Sequence, residues 1–168
     1  MKKVFPKADL VIDKWLQQSQ PEGKSPKSRI FFEGDSIYSY GKHYQLAKIF
    51  KEKQIIFVNK ISSSKTTGRQ KNLIMSIGYN FKIYYIIDFE DHQKNVEEMK
   101  KECTKWNKKV LKAKIYTHIA FEELKISIKK LNQYIENFHL QYGKFSLSDF
   151  CTEKTYIKLI TQKLLEKI

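Results

Sequence analysis

The feature that most constrains the fold is a stretch, residues 79–142, that contains neither glycine nor proline. Within it, apolar residues recur at alternating spacings of three and four, which is typical of helices that bury one face. The two series are offset around residues 112–117. Residues 91–140 therefore form either an antiparallel helical hairpin or one long helix, and Thr117 as an N-cap favours the hairpin. The two series are Val96, Met99, Cys103, Trp106 and Val110, then Phe121, Leu124, Ile128, Leu131, Ile135 and Phe138.

Before this stretch, short segments of β-branched and aromatic residues predict strands. Gly34 and Asp35 lie between two of them and indicate a tight hairpin turn. The run Ile83-Tyr84-Tyr85-Ile86-Ile87 is apolar on both faces, as in a central strand that is covered on both sides. The predicted strands are 30–33, 36–40, 46–50, 55–59 and 81–89, and the first four form an antiparallel meander.

Further helices are predicted beside this sheet. Serines and threonines over residues 62–67 supply N-caps for a helix over 67–77 that ends at Gly78. Gly143 is expected to end the second long helix. The fold prediction is α+β: a mainly antiparallel sheet of about five strands packed against the helix 67–77, the long helical hairpin 91–140 and a C-terminal helix. The last helix is expected to turn four residues inward: Tyr156, Ile157, Ile160 and Leu164.

Two regions are expected along the chain. Residues 1–28 are predicted to be a flexible or loosely packed arm, because Pro6, Pro21, Gly23 and Pro26 interrupt a polar stretch. One short helix, about 10–18, lies within it, and Trp15 is expected to hold this helix to the body. Residues 29–168 are predicted to form a single α+β domain, since 168 residues suit one ordinary core.

The two cysteines, Cys103 and Cys151, lie far apart without CxxC spacing, so neither a zinc site nor a disulfide framework is indicated. Both are interpreted as buried thiols in a reducing cytosol. Charged residues precede any apolar run, so no signal peptide is expected, and no apolar segment approaches a membrane-spanning length. The sequence predicts a soluble cytoplasmic protein without membrane association, metal or cofactor.

Charge favours an anionic partner. The chain has 32 Lys and Arg residues against 18 Asp and Glu, a formal net charge of +14. The excess concentrates in residues 42–71, where Glu52 is the one acid. The alternative is that a compositional bias toward Lys, Ile and Asn accounts for these lysines, and that they only contact water at the surface. The eight basic residues of this segment are Lys42, Lys48, Lys51, Lys53, Lys60, Lys65, Arg69 and Lys71.

The start of the helix 67–77 is a candidate anion site. Arg69 and Lys71 are expected in its first turn, where the helix dipole disfavours cations unless an anion is bound. Alternatively, both side chains point into water. A P-loop is excluded because no GxxxxGK[ST] motif occurs. The predicted nucleic-acid or anion-binding residues are Lys42, Lys65, Thr66, Thr67, Arg69, Lys71, Tyr38 and Tyr40.

Residues 31–44 gather aromatic rings, carboxylates, hydroxyls and a histidine around two glycines. If the meander and strand 81–89 share a sheet, the catalytic candidates Glu33, His43 and His92 converge as a carboxylate and two imidazoles suited to acid/base chemistry or metal ligation. Asn95 lies one helical turn after His92. The alternative is that His92 and Asn95 cap a helix while Glu33 braces a turn. The predicted polar site comprises Ser39, His43, His92 and Asn95.

These motifs resemble a family of proteins from bacteriophages, prophages and plasmids that is known as a domain of unknown function. The resemblance covers about residues 14–140 and implies an origin in a mobile element. One position departs from the pattern, because the family has a histidine shortly after its Thr-Thr and basic residue where this chain has Gln70. The matching residues are Trp15 with Gln18, Phe32-Glu33-Gly34, Ile37-Tyr38-Ser39-Tyr40-Gly41, His43-Tyr44, Ala47, Val58, Thr66-Thr67 with Arg69, and His92 with Asn95.

Two functions follow as hypotheses. The first is a basic, non-enzymatic protein that binds nucleic acid or a host nucleoprotein complex. Its cations contact phosphates and its aromatic rings stack on bases. The resemblance adds an anti-defence role, such as that of an anti-CRISPR protein acting in the host cytoplasm. The second is a small hydrolase or nuclease, metal-dependent or metal-free, that uses the cluster of Glu33, His43 and His92.

Overall fold

The computed structural model describes residues 3–61, 64–113 and 115–165, and their side chains as far as residue 161. The chain divides into two compact units, Met1–Asp91 and His92–Ile168, where the sequence analysis expected an arm over 1–28 and one domain over 29–168. None of the described helices combines the length and the apolar character that crossing a bilayer requires.

The first unit contains a six-stranded sheet in which neighbouring strands follow one another in chain order. The first five strands pair antiparallel, and the sixth pairs parallel with the fifth after a helical crossover. This confirms the predicted α+β class and the mainly antiparallel sheet. The strands are β1 (Glu22–Lys24), β2 (Ile30–Glu33), β3 (Ser36–Ser39), β4 (Gln45–Phe50), β5 (Ile55–Asn59) and β6 (Lys82–Ile86).

Two strands differ from the sequence prediction. β1 lies inside the expected arm and pairs with β2, so that Gly23 faces Phe32; a Cβ on Gly23 would lie 2.6 Å from that ring. β6 is an edge strand with Tyr85 51% exposed, whereas β5 is buried from Ile55 to Val58. The central position predicted for strand 81–89 is therefore wrong, because an apolar run does not reveal which strands pair with it.

Helix α1 (Ala8–Gln17) belongs to the core of the first unit. Val11, Ile12 and Trp15 are fully buried, and the Trp15 indole N–H donates a hydrogen bond of 2.9 Å to the carbonyl of Asp35 in the β2–β3 turn. The predicted anchoring role of Trp15 is confirmed. The loosely packed arm is not observed, since prolines and glycines interrupt secondary structure without preventing its burial.

Helix α2 (Lys65–Ile77) begins two residues earlier than predicted. Ser64 is its N-cap and accepts a hydrogen bond of 3.4 Å from the amide of Thr67. Gly78 follows the helix with a φ of −84°, so it does not supply the left-handed conformation expected at a helix end. A Cβ there would lie 2.9 Å from the carbonyl oxygen of Ile74 and 2.9 Å from Ile56 Cδ1, so a larger residue would crowd the end of α2 where it packs on β5.

The second unit contains two long helices, α3 (His92–Lys112) and α4 (Thr117–Asn137). The hairpin interpretation of residues 91–140 is therefore confirmed. Its buried face follows the predicted spacing, with Met99, Trp106, Phe121 and Phe138 only partly buried. The fully buried members are Val96, Cys103, Val110, Leu124, Ile128, Leu131 and Ile135.

Two predicted helix ends are wrong. Tyr116, with a φ of 61°, is the N-cap of α4, so Thr117 is the first helical residue. Gly143 does not end this helix, because His139 takes the left-handed conformation with a φ of 50°. The amides of His139 and Leu140 donate hydrogen bonds of 3.3 and 3.1 Å to the carbonyls of Glu136 and Ile135, the pattern with which a C-terminal glycine usually ends a helix.

Helix α5 (Glu153–Leu165) turns a different face inward than predicted. Ile157 and Ile160 are 56% and 59% exposed, and Tyr156 is also exposed; the side chain of Leu164 lies outside the described residues. Thr155 is fully buried instead, and its hydroxyl donates a hydrogen bond of 2.8 Å to Asn107 Oδ1 on α3. Apolar spacing alone therefore misidentifies the packed face.

A buried hydroxyl on α4 gives a stability prediction. Thr117 is 1% exposed, and among the described residues its Oγ1 has no hydrogen-bond partner. Thr117→Val should raise the free energy of unfolding by about 1 kcal/mol, since an unpaired hydroxyl gains nothing from burial. The matched change Thr155→Val removes a bonded hydroxyl and should lower it by about 1 kcal/mol. Urea unfolding measures both, and a loss in Thr117→Val would contradict the prediction.

Candidate functional site

An open groove in the first unit has a lining of basic, apolar and uncharged polar residues, with no carboxylate among those that the structure describes. Its volume is about 700 Å³. The walls come from the start of α1, the segment between β1 and β2, the residue after β3 and the first half of α2. We call it the arginine groove, and its lining residues are Pro6, Ala8, Ser25, Pro26, Lys27, Arg29, Ile30, Tyr40, Thr66, Arg69, Gln70 and Leu73.

Both arginines of the chain line this groove. Arg29 and Arg69 are the two arginines among 32 basic residues, and Lys27 is a third cation beside them. All three residues are exposed, and none forms an ion pair within the described part of the chain. The planar guanidinium group donates paired hydrogen bonds that match phosphate and carboxylate oxygens. The groove therefore holds the side chains best suited to binding an oxyanion.

A buried side chain fixes the floor of the groove. Gln70 is 8% exposed; its Oε1 accepts a hydrogen bond of 2.6 Å from the Ser39 hydroxyl, and its Nε2 donates one of 2.9 Å to the carbonyl of Arg29. The same carbonyl accepts a bond of 3.2 Å from the amide of Tyr40. These bonds join α2 to the Ser39 side chain of β3 and to the backbone of the residue before β2, and so hold the two arginine-bearing segments together.

Three non-glycine residues around the groove have left-handed backbone conformations. Their φ angles are 59° at Lys27, 48° at Ser28 and 57° at Tyr40. Such conformations are energetically unfavourable and cluster at functional sites. Tyr40 is 56% exposed, so the backbone presents an aromatic ring at the rim rather than burying it.

A second depression, of about 460 Å³, shares Tyr40 with the arginine groove. We call it the mixed-charge depression, because two of its lysines are paired with carboxylates: Lys3 with Glu22, and Lys42 with Glu33 at 2.6 Å. The hydrogen bond to Lys3 lowers the pKa of Glu22, and the bond to Glu33 raises the pKa of Lys42. Electrostatic attraction for an anion is therefore weaker in this depression than in the arginine groove.

The predicted anion-binding residues are dispersed in the structure. Tyr40, Thr66 and Arg69 line the arginine groove. Lys42 lines the mixed-charge depression, and Lys65 is exposed as the first residue of α2. Only part of the predicted set therefore shares one surface.

Other members of the predicted set have structural roles. The Thr67 hydroxyl donates a hydrogen bond of 2.8 Å to the carbonyl of Ser64 and is buried. The Lys71 ammonium donates one of 2.6 Å to the carbonyl of Ile61. Because α2 begins at Lys65, Arg69 and Lys71 lie in its second turn, and their predicted place in the first turn is wrong.

The charge excess of residues 42–71 is not one patch. Lys48 forms an ion pair with Glu90 at 2.7 Å and has a side chain only 17% exposed. Lys51 donates a hydrogen bond of 2.8 Å to the carbonyl of Leu16. These lysines contribute to contacts within the first unit. Their closeness along the sequence therefore does not make all of them available to one ligand.

The proposed acid/base residues of the meander are also used differently. Glu33 is paired with Lys42, and His43 is exposed. Tyr38 stacks on Phe31 with ring centroids 5.2 Å apart and an interplanar angle of 19°. Among the described residues, no group of three His, Cys, Asp or Glu side chains is placed to hold a metal ion.

His92 and Asn95 lie on one face of α3, as their spacing predicted. His92 Nδ1 lies 2.6 Å from the Tyr134 hydroxyl, and Asn95 Nδ2 donates to the same oxygen over 3.2 Å. The His92 ring packs against Phe138 with a centroid distance of 4.7 Å. Tyr134 and Asn95 are 0% and 1% exposed, so this polar cluster joins α3 to α4 inside the second unit.

Neither cysteine is an activated nucleophile. Burial raises the pKa of the Cys103 thiol to about 11 and also raises the pKa of Cys151. Both therefore stay protonated near neutral pH. Cys103 is buried as predicted, whereas Cys151 is only partly buried, and both are free thiols.

Sequence analysis missed Lys27, Arg29 and Gln70. A signal was present, because Lys24, Lys27 and Arg29 follow one another closely, although the larger excess of basic residues lies in residues 42–71. Comparison with known proteins adds nothing to the assignment: no family model, curated protein or solved structure matches the chain. The resemblance to a mobile-element family stays an expectation, and the functional argument rests on the geometry of the groove.

Proposed function

We propose that this protein binds single-stranded nucleic acid in the arginine groove and that it does so without catalysing a reaction. The observation that carries the proposal is the position of Arg29 and Arg69. They are the two arginines of a lysine-rich chain, they line one groove with Lys27, and none of the described lining residues is a carboxylate. A phosphate group supplies the negative charge that this arrangement lacks.

The exposed ring of Tyr40 favours a nucleic acid over other polyanions. Single-strand binders combine a cationic groove with aromatic rings on which bases stack. Tyr40 provides such a ring at the rim, next to the three cations. A single strand is favoured over a duplex because its bases are free to stack on a side chain.

The same chemistry suits a strand that is held within a host nucleoprotein complex. An anti-defence protein from a mobile element would use the groove to occupy that strand. A hydrolase is less well supported, because Glu33 is engaged by Lys42 and the thiols are protonated. Binding is therefore the proposed activity.

Fluorescence anisotropy of a labelled single-stranded oligonucleotide, measured across a salt series, tests this proposal. Arg29→Ala and Arg69→Ala should each weaken binding by about 10-fold or more, because a hydrogen bond to a charged group contributes about 1.5–3 kcal/mol. Loss of one phosphate contact should also reduce the slope of log K against log salt by about 0.7. Lys27→Ala should weaken binding less, since its ammonium is a point charge.

Lys130→Ala is the matched control for Lys27→Ala. Lys130 is exposed on α4 and has no ion pair within the described residues, so its removal makes the same charge change away from the groove. It should leave affinity nearly unchanged. Equal losses in the two lysine variants, or affinity that does not depend on salt, would reject the groove as the binding site.

A further inference from the structure

We infer that the arginine groove recognises one terminal nucleotide through its phosphate monoester, rather than a run of internal phosphodiesters. This inference rests on the proposed function and specifies its ligand. Near neutral pH a phosphate monoester carries a charge of about −1.5 to −2, whereas an internal diester carries about −1. A ligand with the higher charge matches a groove whose described lining has three cations without an ion pair and no carboxylate.

The charge distribution limits the length of strand that can be bound. The mixed-charge depression, which shares Tyr40 with the arginine groove, has two lysine–carboxylate pairs in its lining and one further lysine, Lys24. A second phosphate there would meet two carboxylates and two lysines that already have partners. Attraction for a phosphate is therefore weaker there than in the arginine groove, where the described lining has three cations and no carboxylate.

The size and the wall of the groove fit one nucleotide. Its volume of about 700 Å³ lies within the about 300–1,000 Å³ range in which proteins bind small molecules. In the same lining, the partly buried Ala8 and Leu73 supply apolar surface for a sugar or a base. The ring of Tyr40 at the rim adds a stacking surface.

Base identity is expected to matter little. Gln70 is the amide side chain in the lining, and both ends of that amide are already bonded, to the Ser39 hydroxyl and to the carbonyl of Arg29. It therefore has little capacity left to read a base edge. Stacking on Tyr40 tolerates every base.

A panel of oligothymidines of increasing length tests the inference, with each length made 5′-phosphorylated, 3′-phosphorylated and unphosphorylated. Isothermal titration of thymidine monophosphate and of inorganic phosphate completes the series. We expect a terminal phosphate at one of the two ends to tighten binding by about 10-fold or more. The gain in affinity from a terminal phosphate should be nearly independent of oligonucleotide length beyond two nucleotides. The end at which the phosphate tightens binding identifies the orientation of the bound strand.

Two outcomes separate this inference from the proposed function. Affinity that rises steadily with length and ignores terminal phosphates would overturn the inference while leaving nucleic-acid binding in place. No binding of any member of the panel would overturn both. Adenine and thymine homopolymers of equal length should bind within about 3-fold of each other if stacking rather than base reading operates.

Substitutions of groove residues separate the contribution of the base from that of the phosphate to binding. Tyr40→Asn removes the ring but tolerates the left-handed backbone, and it should weaken nucleotide binding by about 5-fold to 100-fold while leaving inorganic phosphate binding unchanged. Arg69→Ala should weaken both ligands. Tyr79→Asn removes a tyrosine that is 76% exposed elsewhere in the same unit and should change neither. Equal effects of Tyr40→Asn and Tyr79→Asn would refute the stacking role.

Discussion

Replacing Trp15 with alanine is expected to lower the free energy of unfolding of the first unit by about 3–5 kcal/mol. The side chain is fully buried in the core, so the substitution leaves a large cavity. It also removes the hydrogen bond of 2.9 Å that the indole donates to Asp35 in the β2–β3 turn. Urea unfolding followed by circular dichroism measures the loss.

Leu10→Ala is the control within the same helix. Leu10 is 42% exposed, so its truncation should change the free energy of unfolding by less than about 1 kcal/mol. If Trp15→Ala were as mild as Leu10→Ala, residues 8–17 would be loosely packed after all. Because Pro6 and Ala8 line the arginine groove, Trp15→Ala should also weaken oligonucleotide binding.

The second large effect is expected at Tyr134 in the other unit. Tyr134→Ala should lower the free energy of unfolding by about 3–5 kcal/mol, as for other buried aromatic residues. Tyr134→Phe keeps the ring and should cost about 1–2 kcal/mol, because the hydroxyl bonds both His92 and Asn95, and Asn95 is 1% exposed. The difference between the two variants separates ring packing from hydrogen bonding.

Tyr142→Phe provides the comparison, since Tyr142 is only partly buried and its hydroxyl has no described partner. It should leave the urea midpoint unchanged. If Tyr134→Phe were equally neutral, the hydroxyl would not stabilise the contact between α3 and α4. His92 and Asn95 would then need another role.

Short-range sequence patterns predicted most of the helices and strands. Strands 30–33 and 55–59 were predicted with their observed bounds, because alternation and turn residues act over a few neighbours. The spacing of three and four predicted the helices of residues 91–140 but was compatible with a hairpin or one long helix, and the N-cap at Thr117 that favoured the hairpin is not observed. The errors arose where a neighbour in space decides the outcome: β6 lies at the edge, α5 packs through Thr155, and His139 ends α4 in place of a glycine.

The candidate site was less predictable than the fold. The sequence singled out Tyr40, Thr66 and Arg69, which do line one groove, but it grouped them with Thr67 and Lys71, which have structural roles. A count of charge along the chain cannot tell a lysine engaged in an internal contact from one that is free. Nor does it show which distant segments contribute to one surface.

The sequence by itself determined the α+β class, the helical character of residues 91–140, the positive charge and the anchoring position of Trp15, because these depend on periodicity, composition and short-range preferences. Only the tertiary structure decided that Arg29 and Arg69 share a groove. These residues lie forty positions apart, and the pairing of β2 with β3 and the bonds of Gln70 bring their segments together. Side chains so distant in the chain meet only when long-range packing and hydrogen bonding fix the backbone between them.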